Sequence, residues 1–202
     1  MRSCVYGAIV VGLLVACASQ AEAKPNHAGF TGDLGLGLAL TFTQSQSVAA
    51  LSCSTNGCDS SGGSLTETEA EFGYAPLSVS LGGFVSPYVA ILGRSSGTAF
   101  IRDKNLYSNS FIGPIVEVWP ADVFYFSAGP GLALASRNGF FAGTGQDTTA
   151  GWGLDLRAGF ALLQKQNNDF TVSAELIPSF YRDNGVSTHA TGCALVGAWK
   201  WY

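Results

Sequence analysis

Charge is scarce in this sequence. Asp, Glu, Lys and Arg make up only 12% of its 202 residues, against roughly 25% in ordinary globular domains. A soluble all-β protein of this size would have little with which to coat its exterior. Basic residues are outnumbered, 10 to 14, for a formal net charge of −4, and no basic run occurs. That removes the electrostatic footprint of a nucleic-acid binder. Histidine is nearly absent, with two residues in the chain, and neither lies near a cysteine pair, so a closed tetrahedral metal site has no ligand set. Gly129-Pro-Gly131 and Gly143-Thr-Gly145 lack the Lys-Ser/Thr of a phosphate-binding loop. No cofactor or metal is expected. Beyond the N-terminus, no apolar stretch approaches the about 20 residues of a membrane-spanning helix.

The N-terminus reads as an export signal over residues 1–23. Arg2 supplies positive charge, Tyr6 to Ala18 is uncharged and apolar, and Ala21-Glu22-Ala23 is a small-x-small cleavage site before Lys24. Leu14-Val15-Ala16-Cys17 offers the rival of a lipidation box, with Cys17 as the first mature residue. Cleavage after Ala23 would leave Cys53, Cys58 and Cys193. An exported chain meets an oxidising compartment, so Cys53 and Cys58, close together in one polar stretch, are expected to form a disulfide. Cys193 reads as a small apolar residue.

What is abundant is two-residue alternation. Leu34, Leu36, Leu38, Leu40 and Phe42 fall on one face, and Asp33, Gly35, Gly37, Ala39, Thr41 and Thr43 on the other. A period of two marks a strand. Eight stretches have this character, at about 30–43, 66–82, 88–100, 108–119, 123–136, 149–163, 170–181 and 190–202. Phe72 and Tyr74 fit one phase, Leu77, Val79 and Leu81 the other, which predicts a bulge at Pro76. Connections near 83–87, 120–122 and 164–169 are short. Those at 44–65, 101–107, 137–148 and 182–189 are expected to be longer. One short-turn end and one long-loop end, with an even strand count, describe an antiparallel up-and-down transmembrane barrel spanning residues 24–202.

Charged strand residues share a face with Gly, Ala and Ser, while Leu and Phe take the other. A soluble lipocalin-like barrel would show the reverse. The apolar face is therefore expected to meet lipid, with the charges inside a narrow lumen. Two aromatic bands agree with this. Phe30, Phe84, Tyr88, Trp119, Phe124, Phe170, Trp199, Trp201 and Tyr202 are expected at the turn end. Phe72, Tyr74, Phe100, Tyr107, Phe111, Trp152, Phe180 and Tyr181 are expected at the loop end.

With its export signal, eight strands, unequal ends and Trp199-Lys200-Trp201-Tyr202 terminus, the chain resembles small outer-membrane β-barrel proteins of the OmpA/OmpX-like kind. The resemblance is architectural and covers about 29–202. It implies that the last strand carries a C-terminal assembly signal read by the barrel-assembly machinery. Trp199, Trp201 and Tyr202 would form it, with Lys200 departing from the usual apolar residue two before the end. It also implies residence in the outer membrane of a Gram-negative-type cell, in contact with lipid and lipopolysaccharide.

Counting upward from the turns puts Arg94, Asp155, Arg157 and Glu175 in a mid-barrel layer. Arg157 is expected to face Glu175, and Asp33 to meet Lys200 near the periplasmic rim, where the first and last strands close the barrel. Glu117 lies low and Glu71 high. Buried charges must pair, so these residues are expected to fill the lumen; a charge-lined narrow pore is the alternative. Ser187-x-His189, with Asp183 and Glu175 the nearest acids, is chemically adequate for ester hydrolysis, which makes a lipid A-modifying enzyme a second alternative. A secreted soluble lipocalin-like barrel that binds an apolar ligand is the third. The expected role is non-enzymatic: envelope structure, adhesion or surface contact, with the nearly uncharged loop 44–65 as the partner site.

Overall fold

A computed structural model describes residues 29–46, 53–54, 57–58, 66–103, 105–139, 147–183 and 186–202. The expected signal over 1–23, the Cys17 alternative and most of the 44–65 stretch lie outside the described residues. The strands are β1 (Phe30–Gln46), β2 (Cys53–Ser54), β3 (Gly57–Cys58), β4 (Thr66–Ser86), β5 (Val89–Arg102), β6 (Asn105–Ala121), β7 (Phe124–Gly139), β8 (Asp147–Gln164), β9 (Asn168–Asp183) and β10 (Val186–Trp201). β2 and β3 form a separate small hairpin. The other eight close an antiparallel barrel in which each strand pairs with its neighbours in sequence order and β1 pairs with β10. The closing ladder runs without a break from Gly32↔Trp201 to Gln46↔Ser187. A closed ladder leaves no unpaired strand edge, which lipid could not hydrate.

Alternation sets the two faces. Leu34, Leu36, Leu38, Leu40 and Phe42 are exposed on the barrel exterior, up to 66% at Leu36, while Asp33, Ala39 and Thr41 are buried inside. On β8 the exposed Trp152 and Leu156 alternate with buried Asp155 and Arg157. The bulge lies where the phase change predicts it. β1 pairs Gly35↔Ser78 and then Gly37↔Ala75, so Pro76 and Leu77 together oppose one β1 residue. Both point outward. Proline has no N–H to offer the ladder, and the bulge is where that costs least.

Two expectations about the ends need correction. The ladder of β5 and β6 continues to Arg102↔Asn105, and that of β9 and β10 to Asp183↔Val186. The connections expected at 101–107 and 182–189 are thus only two residues long, 103–104 and 184–185, and the contrast in connection length between the two ends rests on 47–65 and 140–146. The polar residues there are strand, because a paired backbone needs no apolar face. Asp103 turns the chain with φ 49°, a left-handed conformation that Asp tolerates.

The aromatic bands also need correction. Phe30, Tyr88, Phe72, Trp152 and Trp199 are on the exterior, as expected. Trp119, Phe111 and Tyr181 are buried in the lumen. Phe84 and Tyr202 pack on each other, 5.9 Å between ring centroids, and belong with Trp119 and Tyr125 to a cluster at the turn end. Phe100 and Tyr107 stack at 5.1 Å inside the loop-end mouth. Glycine makes room for these rings. A Cβ at Gly159 would sit 2.5 Å from the Tyr125 ring, and one at Gly131 would sit 2.6 Å from that of Phe111.

Candidate functional site: the charged layer of the lumen

The lumen is organised in three levels. At the turn end Trp119 and Tyr125 lie with ring centroids 4.9 Å apart, and the Tyr202 hydroxyl donates to Asp169 Oδ2 at 2.6 Å. Above them is a layer of ionisable side chains. Above that, an apolar and hydroxyl-lined vestibule opens toward the loops.

The charged layer contains Arg94, Arg157 and Lys200 facing Asp33, Glu117, Asp155 and Glu175, and none is more than 4% exposed. Arg94, on β5, reaches across the bore. Its Nε donates to Asp155 Oδ2 at 2.9 Å, its Nη1 to Ser80 Oγ at 2.8 Å and to Asp33 Oδ1 at 3.4 Å, and its Nη2 to Glu175 Oε1. Arg157 donates through Nη2 to Glu117 Oε2 at 2.8 Å and to Asp33 Oδ2 at 3.1 Å. Its guanidinium lies 4.9 Å from the Tyr125 ring centroid, where the negative face of the ring attracts it. Lys200 donates to Glu117 Oε1 at 2.6 Å. Its ammonium is also 5.4 Å from the Trp119 centroid and 5.2 Å from that of Tyr125. Trp119 Nε1 donates to Glu117 Oε1 at 2.8 Å. Serine hydroxyls complete the layer, with Ser80 donating to Asp33 Oδ1 at 3.1 Å and Ser96 to Asp155 Oδ2 at 2.7 Å.

Arg157 and Glu175 are cross-strand neighbours in the β8–β9 ladder, but Arg157 forms its ion pairs with Asp33 and Glu117, and Glu175 forms its own with Arg94. Asp33 and Lys200 are neighbours where the barrel closes, with Nζ 3.7 Å from Oδ2. Far from being a separate rim pair, Asp33 is 1% exposed and joins both arginines. Glu71 stands apart from the layer. It lies 3.5 Å from Arg102 at the loop end, where Arg102 also pairs with Glu69 at 2.6 Å. Ser80, Ser96, Tyr125 and Asp169 are absent from the expected site residues, and the expected place of Trp119 is the turn-end aromatic band instead of the lumen. Spacing by two from Glu117 and Arg94 would have placed Trp119 and Ser96 inside.

The vestibule has a volume of about 230 Å³ and is lined by Thr41, Phe100, Tyr107, Asn109, Arg137 and Tyr181, among others. Thr41 bonds Thr98 beneath it at 2.8 Å, and the Tyr181 hydroxyl donates to Asn109 Oδ1.

Ser187 and His189 share the β10 parity of the exposed Leu195 and Trp199, so they face outward. His189 packs edge-on against Phe180, 5.0 Å between centroids. Among the described side chains neither is hydrogen-bonded to the other or paired with an acid; the side chain of Asp183 lies outside them. The Cys53 and Cys58 backbones are directly opposed in the β2–β3 hairpin, and their side chains also lie outside the described set. Among the described residues no group of His, Cys, Asp and Glu could hold a metal ion.

Solved structures carry the same architecture. Neisserial surface protein A is 12% identical, with TM-score 0.51, covering 83% of this chain and 96% of its own. OprG, an outer membrane protein from Pseudomonas aeruginosa, is 9% identical, with TM-score 0.51, covering 90% of this chain and 100% of its own. The fold is that of a small outer-membrane barrel. No protein-family model and no curated protein sequence matches the chain.

Proposed function

We propose that the protein is an integral outer-membrane barrel with a non-enzymatic role in envelope structure or surface contact, and that its own side chains close its lumen. The observation that carries this reading is the interlocked charged layer, in which seven ionisable side chains are at most 4% exposed. An open, charge-lined pore would keep such groups hydrated. Here each has traded water for protein partners, which is favourable only when the pairing is nearly complete. Eight strands leave an interior just wide enough for side chains, and Trp119, Tyr125 and Tyr202 fill the level below.

The exterior supports membrane residence. Its Leu, Ile and Phe side chains would form a large apolar patch in water, of the kind soluble monomers avoid. Outer-membrane lipid and lipopolysaccharide are the partners this face suits. Export through the 1–23 signal, delivery to the barrel-assembly machinery through Trp199, Trp201 and Tyr202, and contact with an extracellular partner through 44–65 belong to the same reading. No nucleic acid is involved in it.

Cell fractionation with heat-modifiable gel migration tests the proposal. Recovery in the outer-membrane fraction, with faster migration unheated than boiled, is the expected result. Recovery from the soluble periplasm would overturn it.

A further inference from the structure

The vestibule above the charged layer has the features of a small binding site. Asn109 is only 5% exposed, and its carboxamide oxygen accepts from Tyr181 while its Nδ2 has no hydrogen-bond partner. A buried amide nitrogen without an acceptor costs free energy that a bound ligand would recover. Thr43, Thr149 and Thr188 add hydroxyls, each able to donate or accept, to the same cavity. The remaining wall is mixed, with Ala135 and Ala190 beside Ser108, Ser136 and Arg137, and two aromatic rings among them. Phe100 and Tyr107 stack with planes 6° apart, and the Arg137 guanidinium covers Tyr107 at 5.5 Å, which holds the pair in place.

We propose that this cavity binds a single sugar ring. A pyranose combines C–H faces, which pack on the electron-rich faces of aromatic rings and here have only the face of Phe100 turned away from Tyr107 to use, with a hydroxylated edge that would supply the acceptor Asn109 lacks and pair with the threonines. A simple aromatic solute would satisfy the wall but leave the amide and hydroxyls unpaired. At about 230 Å³ the cavity falls below the roughly 300 Å³ at which drug-sized ligand sites begin, so it takes one ring and not a chain. The floor is closed by the Thr41–Thr98 bond and by buried Phe111, so the ring enters from the loop end and stays there. The pocket chemistry is independent of the proposed function; only the source of the sugar, outside the cell, rests on that reading.

The test is NMR titration of the refolded barrel in a detergent without a sugar headgroup. The probes are glucose, galactose and N-acetylglucosamine, their methyl glycosides, and phenol. The expected result is saturable shifts at Asn109, Tyr107 and Tyr181, with a dissociation constant on the order of 1 mM. Asn109→Leu should weaken binding by about tenfold and Thr149→Val by about threefold, with both variants retaining heat-modifiable migration. If Asn109→Leu fails to fold, Thr149→Val carries the comparison, since it leaves the Tyr181 bond intact. Binding of free sugars alone supports the proposal with a free solute as ligand; equal binding of the methyl glycosides supports it with the end of a glycan. No sugar-dependent shift, shifts with phenol alone, or sugar affinity unchanged in the folded variants would overturn it. Micelle binding does not depend on location, so a periplasmic result in the fractionation experiment would sink the membrane reading and leave this one standing.

Discussion

Lys200 lies directly across from Asp33 in the ladder that closes the barrel, yet its ammonium bonds Glu117 at 2.6 Å and stays 3.7 Å from Asp33. The residue at the seam therefore ties the last strand to β6 on the far side of the bore. Closure and lumen packing are mechanically joined here, as they are through Asp33 on β1, which pairs with both arginines.

Removing that tie should be costly. Lys200→Met deprives buried Glu117 of its nearest cation, and a loss of about 3 kcal/mol is expected, read as a lower urea midpoint in lipid vesicles. Lys200→Arg keeps the charge and should recover most of the loss. A Lys200→Met variant of unchanged stability would mean that the Glu117 contact contributes nothing.

Arg157 joins Asp33 to Glu117 and stacks on Tyr125. Arg157→Met should cost about 3–5 kcal/mol, because two carboxylates are left with fewer partners in a dry interior. Adding Glu117→Gln should cost less than the sum of the two single changes, with a coupling of about 0.5–3 kcal/mol. Additive losses in the double-mutant cycle would show that the pair does not act as a unit.

Leu38 is 60% exposed on the exterior of β1. In lipid, Leu38→Arg should destabilise the barrel by about 2–4 kcal/mol. On a water-facing surface the same change would be harmless or would improve solubility, so the unfolding midpoint separates the two settings.

Much of the fold was legible because a period of two is a strong signal when one side is oily. It was enough to assign inner and outer faces on β1, β7, β8 and β9, and the change of phase in β4 located the bulge at Pro76. Alternation is blind to which large apolar residues turn inward. Phe111 and Trp119 share the parity of Glu117 and are buried with it, but as large aromatics they fit the expected interface bands equally well. Strand lengths were underestimated because the ends of β5, β6, β9 and β10 are polar, although Asn184-Gly185 is a strong two-residue hairpin signal. The ion pairs were the least legible part. Register names neighbours on adjacent strands, whereas Arg94 on β5 reaches Asp155 on β8 and Glu175 on β9. Such contacts depend on the bore closing into a circle.

Opposed backbones at Cys53 and Cys58 fit the disulfide expected in an exported chain. The denatured, unreduced protein recovered from the envelope should take one maleimide–polyethylene glycol label, at Cys193, and further labels only after reduction. Full labelling without reductant would exclude the bond.

Planar-bilayer recording of the purified wild-type barrel tests the central claim most directly. A lumen closed by Arg94, Arg157, Lys200 and their carboxylates should give no stable ionic conductance, and Arg157→Met should lower stability without opening one. A large, steady channel in the wild type that is abolished by Arg157→Met would contradict the closed lumen and establish the charged layer as an ion pathway.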